Sequence, residues 1–134
     1  MLSSLTYALI PAGKLSKFAL IGYLMLLFWG SLWPINSELV ANHDKLNHLL
    51  GYAGLGLLLG WSQTQLKLIQ TWLVTFSIGV LIECLQGLTS WRYFEWFDML
   101  ANGIGALLAL PILWLIRRQL DPYFQALVLA KEQS

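Results

Sequence analysis

Charge is what this sequence has least of. Only 11% of its 134 residues are charged, where soluble domains average about 25%. With 57% hydrophobic residues and a mean hydropathy of +0.64, so short a chain cannot hide its apolar surface in a soluble core. Cysteine is nearly absent. The single Cys84 excludes an internal disulfide and any multi-cysteine metal site, and in its apolar run it reads as a packing residue. The formal net charge of +1 argues against nucleic acid as a partner. There is no phosphate loop, nucleotide fingerprint, serine nucleophile elbow or zinc motif. A small-residue cleavage site after the first apolar run is missing too, so that run reads as a retained span and not a signal peptide.

What the chain does have is long apolar segments, which make it an integral membrane protein. Four of them, 18–33, 46–61, 72–88 and 99–116, are separated by polar breaks. A span needs about 20 residues, which the first two reach only with their amphipathic flanks. Trp33, Trp61, Trp72, Trp91 and Trp96 fall near the proposed ends, as an interfacial aromatic belt would. The expected fold is all-α: a polytopic bundle of four transmembrane helices forming a single domain over 1–134. After Arg118 the chain restarts at Asp121-Pro122, a good helix opening. Tyr123, Phe124, Leu127 and Val128 share a face there, so a short C-terminal interfacial helix is expected.

Basic residues set the orientation. Lys14, Lys17, Lys67, Arg117, Arg118 and Lys131 fall on one side, Lys45 and Arg92 on the other. The asymmetry predicts both termini in the cytoplasm and the 34–45 and 89–98 loops outside. It also places nearly every unusual polar residue at one depth. The third span carries Glu83 and Gln86 in its outer third. The second begins outside with Asp44, Lys45, His48 and Tyr52, the fourth with Asp98 and Asn102.

Residues four apart share a helical face. Asp44, His48, Tyr52, Gly56 and Gly60 form one stripe. Asp98, Ala101, Asn102, Gly105, Ala106 and Ala109 form another, and Gly79, Glu83, Gln86, Gly87 and Ser90 a third. Small residues let membrane helices approach, and polar ones bond across the contact. Spans two, three and four therefore meet along these stripes, with Arg92 closing the top. Glu83 has Lys45, His48 and Arg92 as candidate partners. Dry and unpaired, it would be neutral and suit acid–base chemistry. Facing Arg92, it would be a fixed countercharge.

Each polar residue has a bland reading beside the functional one. Glu83 and Gln86 suit an interhelical clamp or a ligand site, and His48 a buried hydrogen-bond partner or a proton shuttle. Asp44 and Asp98 suit N-caps, and Arg92 an interfacial anchor or a phosphate-binding fork. Asp44, His48, Glu83 and Asp98 could in principle ligate a metal. With one histidine on the stripe, no HxxxH and no cysteine pattern, no metal is expected, and no cofactor. His43 reads as a loop residue.

The order Asp44-Lys45-x-x-His48-x-x-x-Tyr52, then Glu83-x-x-Gln86, then Arg92, then Asp98-x-x-x-Asn102-x-x-Gly105 resembles the VanZ-like family, over residues 44–109. The family's namesake is associated with low-level teicoplanin resistance. The resemblance implies a small multi-span protein of the bacterial cytoplasmic (inner) membrane, linked to the cell envelope, and supplies no reaction. Whether the chain is an enzyme stays open. If it is, Glu83, His48 and Asp98 are the catalytic candidates. Arg92, Lys45, Asp44, Tyr52, Gln86 and Asn102 are the substrate-binding ones, the substrate being an amphiphilic polyprenyl-phosphate-type envelope precursor. The alternative is a non-enzymatic scaffold or accessory subunit whose polar cluster is structural. A small carrier is the least favoured reading, because the polar groups line no complete path.

Overall fold

A computed structural model describes residues 12–34 and 43–132, with side chains at 12, 121 and 123–132 outside the description. The described residues form four α-helices and no strand: α1 (Ala12–Leu32), α2 (Asp44–Ser62), α3 (Leu68–Gln86) and α4 (Trp96–Glu132). Helix α1 stops at Trp33-Pro34, because a residue before proline is pushed out of the helical region. Helix α3 starts after Lys67, whose backbone N–H donates to Gln70 Oε1 at 2.8 Å. It ends with the Gly87 N–H on the Glu83 carbonyl at 3.1 Å.

Three helices are long and apolar enough to cross a membrane, over Gly13–Leu32, Leu68–Gln86 and Trp96–Leu120. The expected second span is a helix of 19 residues, α2, but its first turn of Asp44, Lys45, Asn47 and His48 keeps it out of that class. The expected separate interfacial helix is also corrected. Helix α4 runs unbroken for 37 residues through Asp121-Pro122. The predicted face of Tyr123, Phe124, Leu127 and Val128 lies outside the described side chains. Pro111 inside α4 removes one intrahelical bond, which membrane helices tolerate when neighbours satisfy the freed carbonyl.

Small residues decide the packing. Helices α2 and α4 form the closest pair. A Cβ built on Gly56 would lie 2.9 Å from Ala109 Cβ, one on Gly105 would meet the Leu49 carbonyl, and one on Gly60 the Leu113 side chain. Helix α3 joins through Gly79, whose Cβ would lie 3.0 Å from Asn102 Cβ and from the Tyr52 ring. Tyr52, Leu55, Leu59 and Ile82 form the core, with Leu20 of α1. Helix α1 is peripheral. The Tyr23 hydroxyl ties it to the Gly51 carbonyl at 2.9 Å, while Phe18, Met25, Leu26 and Trp29 face outward, each more than 60% exposed. Such a surface suits lipid, not water. Cys84 is exposed as well, so it is not the packing residue expected.

The buried stripes of α2 and α4 match the four-residue spacing. The third stripe is corrected at both ends. Gly87, the C-cap of α3, and Ser90, beyond its end, are both exposed. In the other direction the buried face continues through Thr75 and Thr71, both fully buried.

Candidate functional site

The C-terminal ends of α1 and α3 and the N-terminal ends of α2 and α4 meet at one end of the bundle. All nine expected site residues lie at that end, with Gln86 turned to α1. Asp44 and Asp98 both lie in first helical turns, where a carboxylate is favoured by the helix dipole. Neither is an N-cap: His43 precedes α2 without a side-chain cap bond, and Asp98 is the third residue of α4.

His48 stands at the centre, 6% exposed. Its Nδ1 lies 2.9 Å from Asn102 Oδ1. An amide oxygen only accepts, so Nδ1 carries the proton and Nε2 is directed elsewhere. Nε2 lies 3.8 Å from Asp44 Oδ1 and 3.7 Å from Asp98 Oδ2. Arg92 Nη1 donates to Asp44 Oδ2 at 3.1 Å and to Oδ1 at 3.3 Å. Lys45 Nζ bonds Glu95 Oε2 at 3.1 Å and lies 3.3 Å from Asp98 Oδ1, an ion pair without hydrogen-bond alignment. The hydrogen bond that it donates to Glu95 and the charge of Asp98 raise the Lys45 ammonium above its ordinary pKa.

Glu83 does not take any of the three partners proposed for it by hydrogen bond or ion pair. Its Oε1 accepts the Glu95 backbone N–H at 2.8 Å, just ahead of α4, and Oε2 is buried without a hydrogen bond. The partners differ because Arg92 and Lys45 are engaged by Asp44, Glu95 and Asp98. Tyr52 is buried against Gly79, its ring parallel to that of His48 with centroids 6.4 Å apart and its hydroxyl without a partner. Gln86 is the expected residue that turns away from His48. Its Nε2 donates to the Ser31 carbonyl at 2.9 Å, while Trp91 Nε1 donates to the Leu32 carbonyl at 3.2 Å. Together they satisfy carbonyls left open at the end of α1.

A cavity of about 280 Å³ opens beside this cluster, between α1 and α2. Leu26, Leu27 and Gly30 line one side, Asp44, His48 and Arg92 the other, and Tyr52 is also in the lining. The family model described as VanZ/LLP1 matches residues 3–117. The chain belongs to the VanZ/LLP1 family. No curated protein and no solved structure matches it. Within this VanZ/LLP1 membrane protein, sequence reasoning missed three contributors. Glu95 holds Lys45 and offers its N–H to Glu83. Asn47 lines the cavity. At the opposite end Arg117, read only as a topology signal, donates to the Gly60 and Leu66 carbonyls at 2.7 and 2.8 Å. Asn47 lies one residue before His48, a signal that stripe analysis discards because neighbours in sequence face apart. Trp72 also does more than mark an interface, since its indole donates to the Gly103 carbonyl at 3.1 Å.

Proposed function

We propose that this protein binds an amphiphilic envelope lipid, of the polyprenyl-phosphate type, in the cavity between α1 and α2. The observation that carries the reading is the two-sided lining. Leu26, Leu27 and Gly30 suit an acyl or prenyl chain, and Arg92, Asp44 and His48 suit a polar head. Arg92 is the head-group contact, its side chain 26% exposed at the cavity although paired with Asp44. If chemistry follows binding, His48 and Asp98 are the groups placed to move a proton, facing each other at 3.7 Å. Glu83 supports this centre through the backbone ahead of α4. In this reading α2 crosses the membrane as a fourth span within the bundle, the polar end faces outward, and both termini are cytoplasmic. The bacterial cytoplasmic membrane is the location, and glycopeptide response a consequence of lipid handling.

A second reading, a scaffold whose polar groups only hold the helices together, draws support from the Gln86, Trp91 and Glu83 bonds to backbone. Native mass spectrometry of the protein released from its own membrane separates the two. Wild type should carry a lipid that Arg92→Ala loses and Gln86→Ala keeps. Equal lipid content in all three forms, at equal stability, would favour the scaffold.

A further inference from the structure

We propose that Asp44, His48 and Asp98 form a binding site for one divalent transition-metal cation, of the Zn²⁺ or Mn²⁺ class, at the polar end of the bundle. One donor atom from each residue lies within 4.8 Å of the other two. The sequence offers no metal spacing because the donors come from two helices, and folding brings them together.

Three features beyond the cluster itself carry the proposal. The first is the gap. His48 Nε2 and the two carboxylate oxygens are separated by 3.7 and 3.8 Å, beyond the roughly 2.7–3.2 Å of a hydrogen bond. Donors at about 2.0–2.2 Å from a shared metal ion stand roughly 3.0–3.5 Å apart. The two nitrogen–oxygen separations reach that range with a contraction of a few tenths of an ångström, and the two carboxylates offer oxygens within 4.8 Å of each other.

The second is orientation. Nδ1 lies 2.9 Å from Asn102 Oδ1, so the other ring nitrogen, Nε2, is the one turned to the gap. A carbonyl or carboxylate behind the far ring nitrogen is the usual companion of a metal-bound histidine. The carboxylates are backed in the same way. Arg92 holds both oxygens of Asp44, Oδ2 at 3.1 Å and Oδ1 at 3.3 Å, and Lys45 lies against Asp98 through Oδ1. Asp44 Oδ1, shared with Arg92, and Asp98 Oδ2 are the oxygens nearest His48 Nε2.

The third is uncompensated polarity. Asp98 is 3% exposed, and its Oδ1 makes no hydrogen bond, only the ion-pair contact with Lys45. Glu83, 1% exposed, leaves Oε2 without a partner. The ion pairs bring Lys45 and Arg92 to a group that contains Asp44, Glu83, Glu95 and Asp98. With all four carboxylates ionised, the two permanent cations leave a double negative charge, which a divalent cation would balance. One nitrogen and two oxygen ligands suit a borderline ion, and three protein ligands leave positions open. Asp44 and His48 also line the cavity, so those positions face it. That last step rests on the lipid reading, where the cation would receive an anionic head-group oxygen. The cation site itself does not.

The test uses the full chain in nanodiscs of zwitterionic lipid, stripped with EDTA and titrated with Mn²⁺ under electron paramagnetic resonance. One Mn²⁺ per chain is expected, displaced by Zn²⁺, with ¹⁴N hyperfine coupling that persists in His43→Gln. Asp98→Asn should weaken binding at least tenfold, and Asn102→Ala by about 10–100-fold. Absence of saturable binding, bound Mn²⁺ without ¹⁴N coupling, or wild-type affinity in Asp98→Asn would each overturn the proposal. The ¹⁴N signal of the wild-type chain decides the matter even if a variant does not fold. Zwitterionic nanodiscs contain no phosphate-ended lipid, so failure of the lipid reading would leave a positive result standing.

Discussion

Glu83 is a buried carboxylate whose visible bond is to a backbone N–H, that of Glu95 at 2.8 Å. A hydrogen bond to a charged acceptor contributes about 1.5–3 kcal/mol. Glu83→Ala should therefore cost about 2 kcal/mol in reversible unfolding from mixed micelles. Glu83→Gln keeps an acceptor in place and should cost less than half of that. Equal losses would mean that the negative charge, and not the acceptor, holds the start of α4. Lys45 makes a different prediction. Its pKa in the folded protein is raised above the ordinary value of about 10.5 by Glu95 first and then by Asp98. Its contribution is fully present below that ordinary value and is lost as pH rises through the folded value. An alkaline unfolding titration should show this loss in the wild type and not in Lys45→Met. None of these pairings is readable from sequence. Asp44 and Arg92 stand 48 positions apart, Gln86 and Ser31 55. The spacing rules that put His48 and Tyr52 on one face say nothing of what faces them.

Among the helices, glycines mark which contacts are tight. At Gly105 an added Cβ meets the backbone carbonyl of Leu49, which cannot swing away. Gly105→Leu should cost about 3 kcal/mol, the upper end of overpacking penalties. At Gly22 a Cβ meets nothing within 4 Å, so Gly22→Leu should leave the midpoint unchanged or raise it slightly. The comparison needs only thermal unfolding of the two variants in detergent. A similar loss at both positions would mean that α1 packs against something besides this chain. The stripes of α2 and α4 were legible because an unbroken helix repeats its face every three to four residues. Thr71 and Thr75 went unnoticed because threonine blends into an apolar run, although they extend the Gly79 and Glu83 spacing by two turns. Helical spacing does not reach Ser90, because α3 ends at Gln86 and its cap at Gly87.

For the molecule as a whole, the charge asymmetry and the alternation of four helices make one prediction about the membrane. In a Cys84→Ser background, Tyr93→Cys should react with an impermeant maleimide added outside intact cells. Lys67→Cys should react only after the membrane is opened. Tyr93 is 83% exposed beside the polar end, and Lys67 precedes α3 at the other. Labelling in the reverse order would invert the topology and place the cavity on the cytoplasmic side.

What the sequence determined by itself was what depends on composition and local repetition. Scarce charge and long apolar runs require helices that bond their own backbones in lipid. Period and small residues chose the buried faces, and the order of polar motifs placed the chain in its family. The tertiary structure decided what depends on the rotation and depth of one helix against another. It turned Gln86 to the end of α1, gave Arg92 to Asp44 and Lys45 to Glu95 and Asp98, and opened a cavity between α1 and α2. It also set Asp44, His48 and Asp98 around one point. Helical periodicity is a property of a few neighbouring residues. A shared point between helices exists only once glycine and alanine contacts have fixed how closely those helices approach.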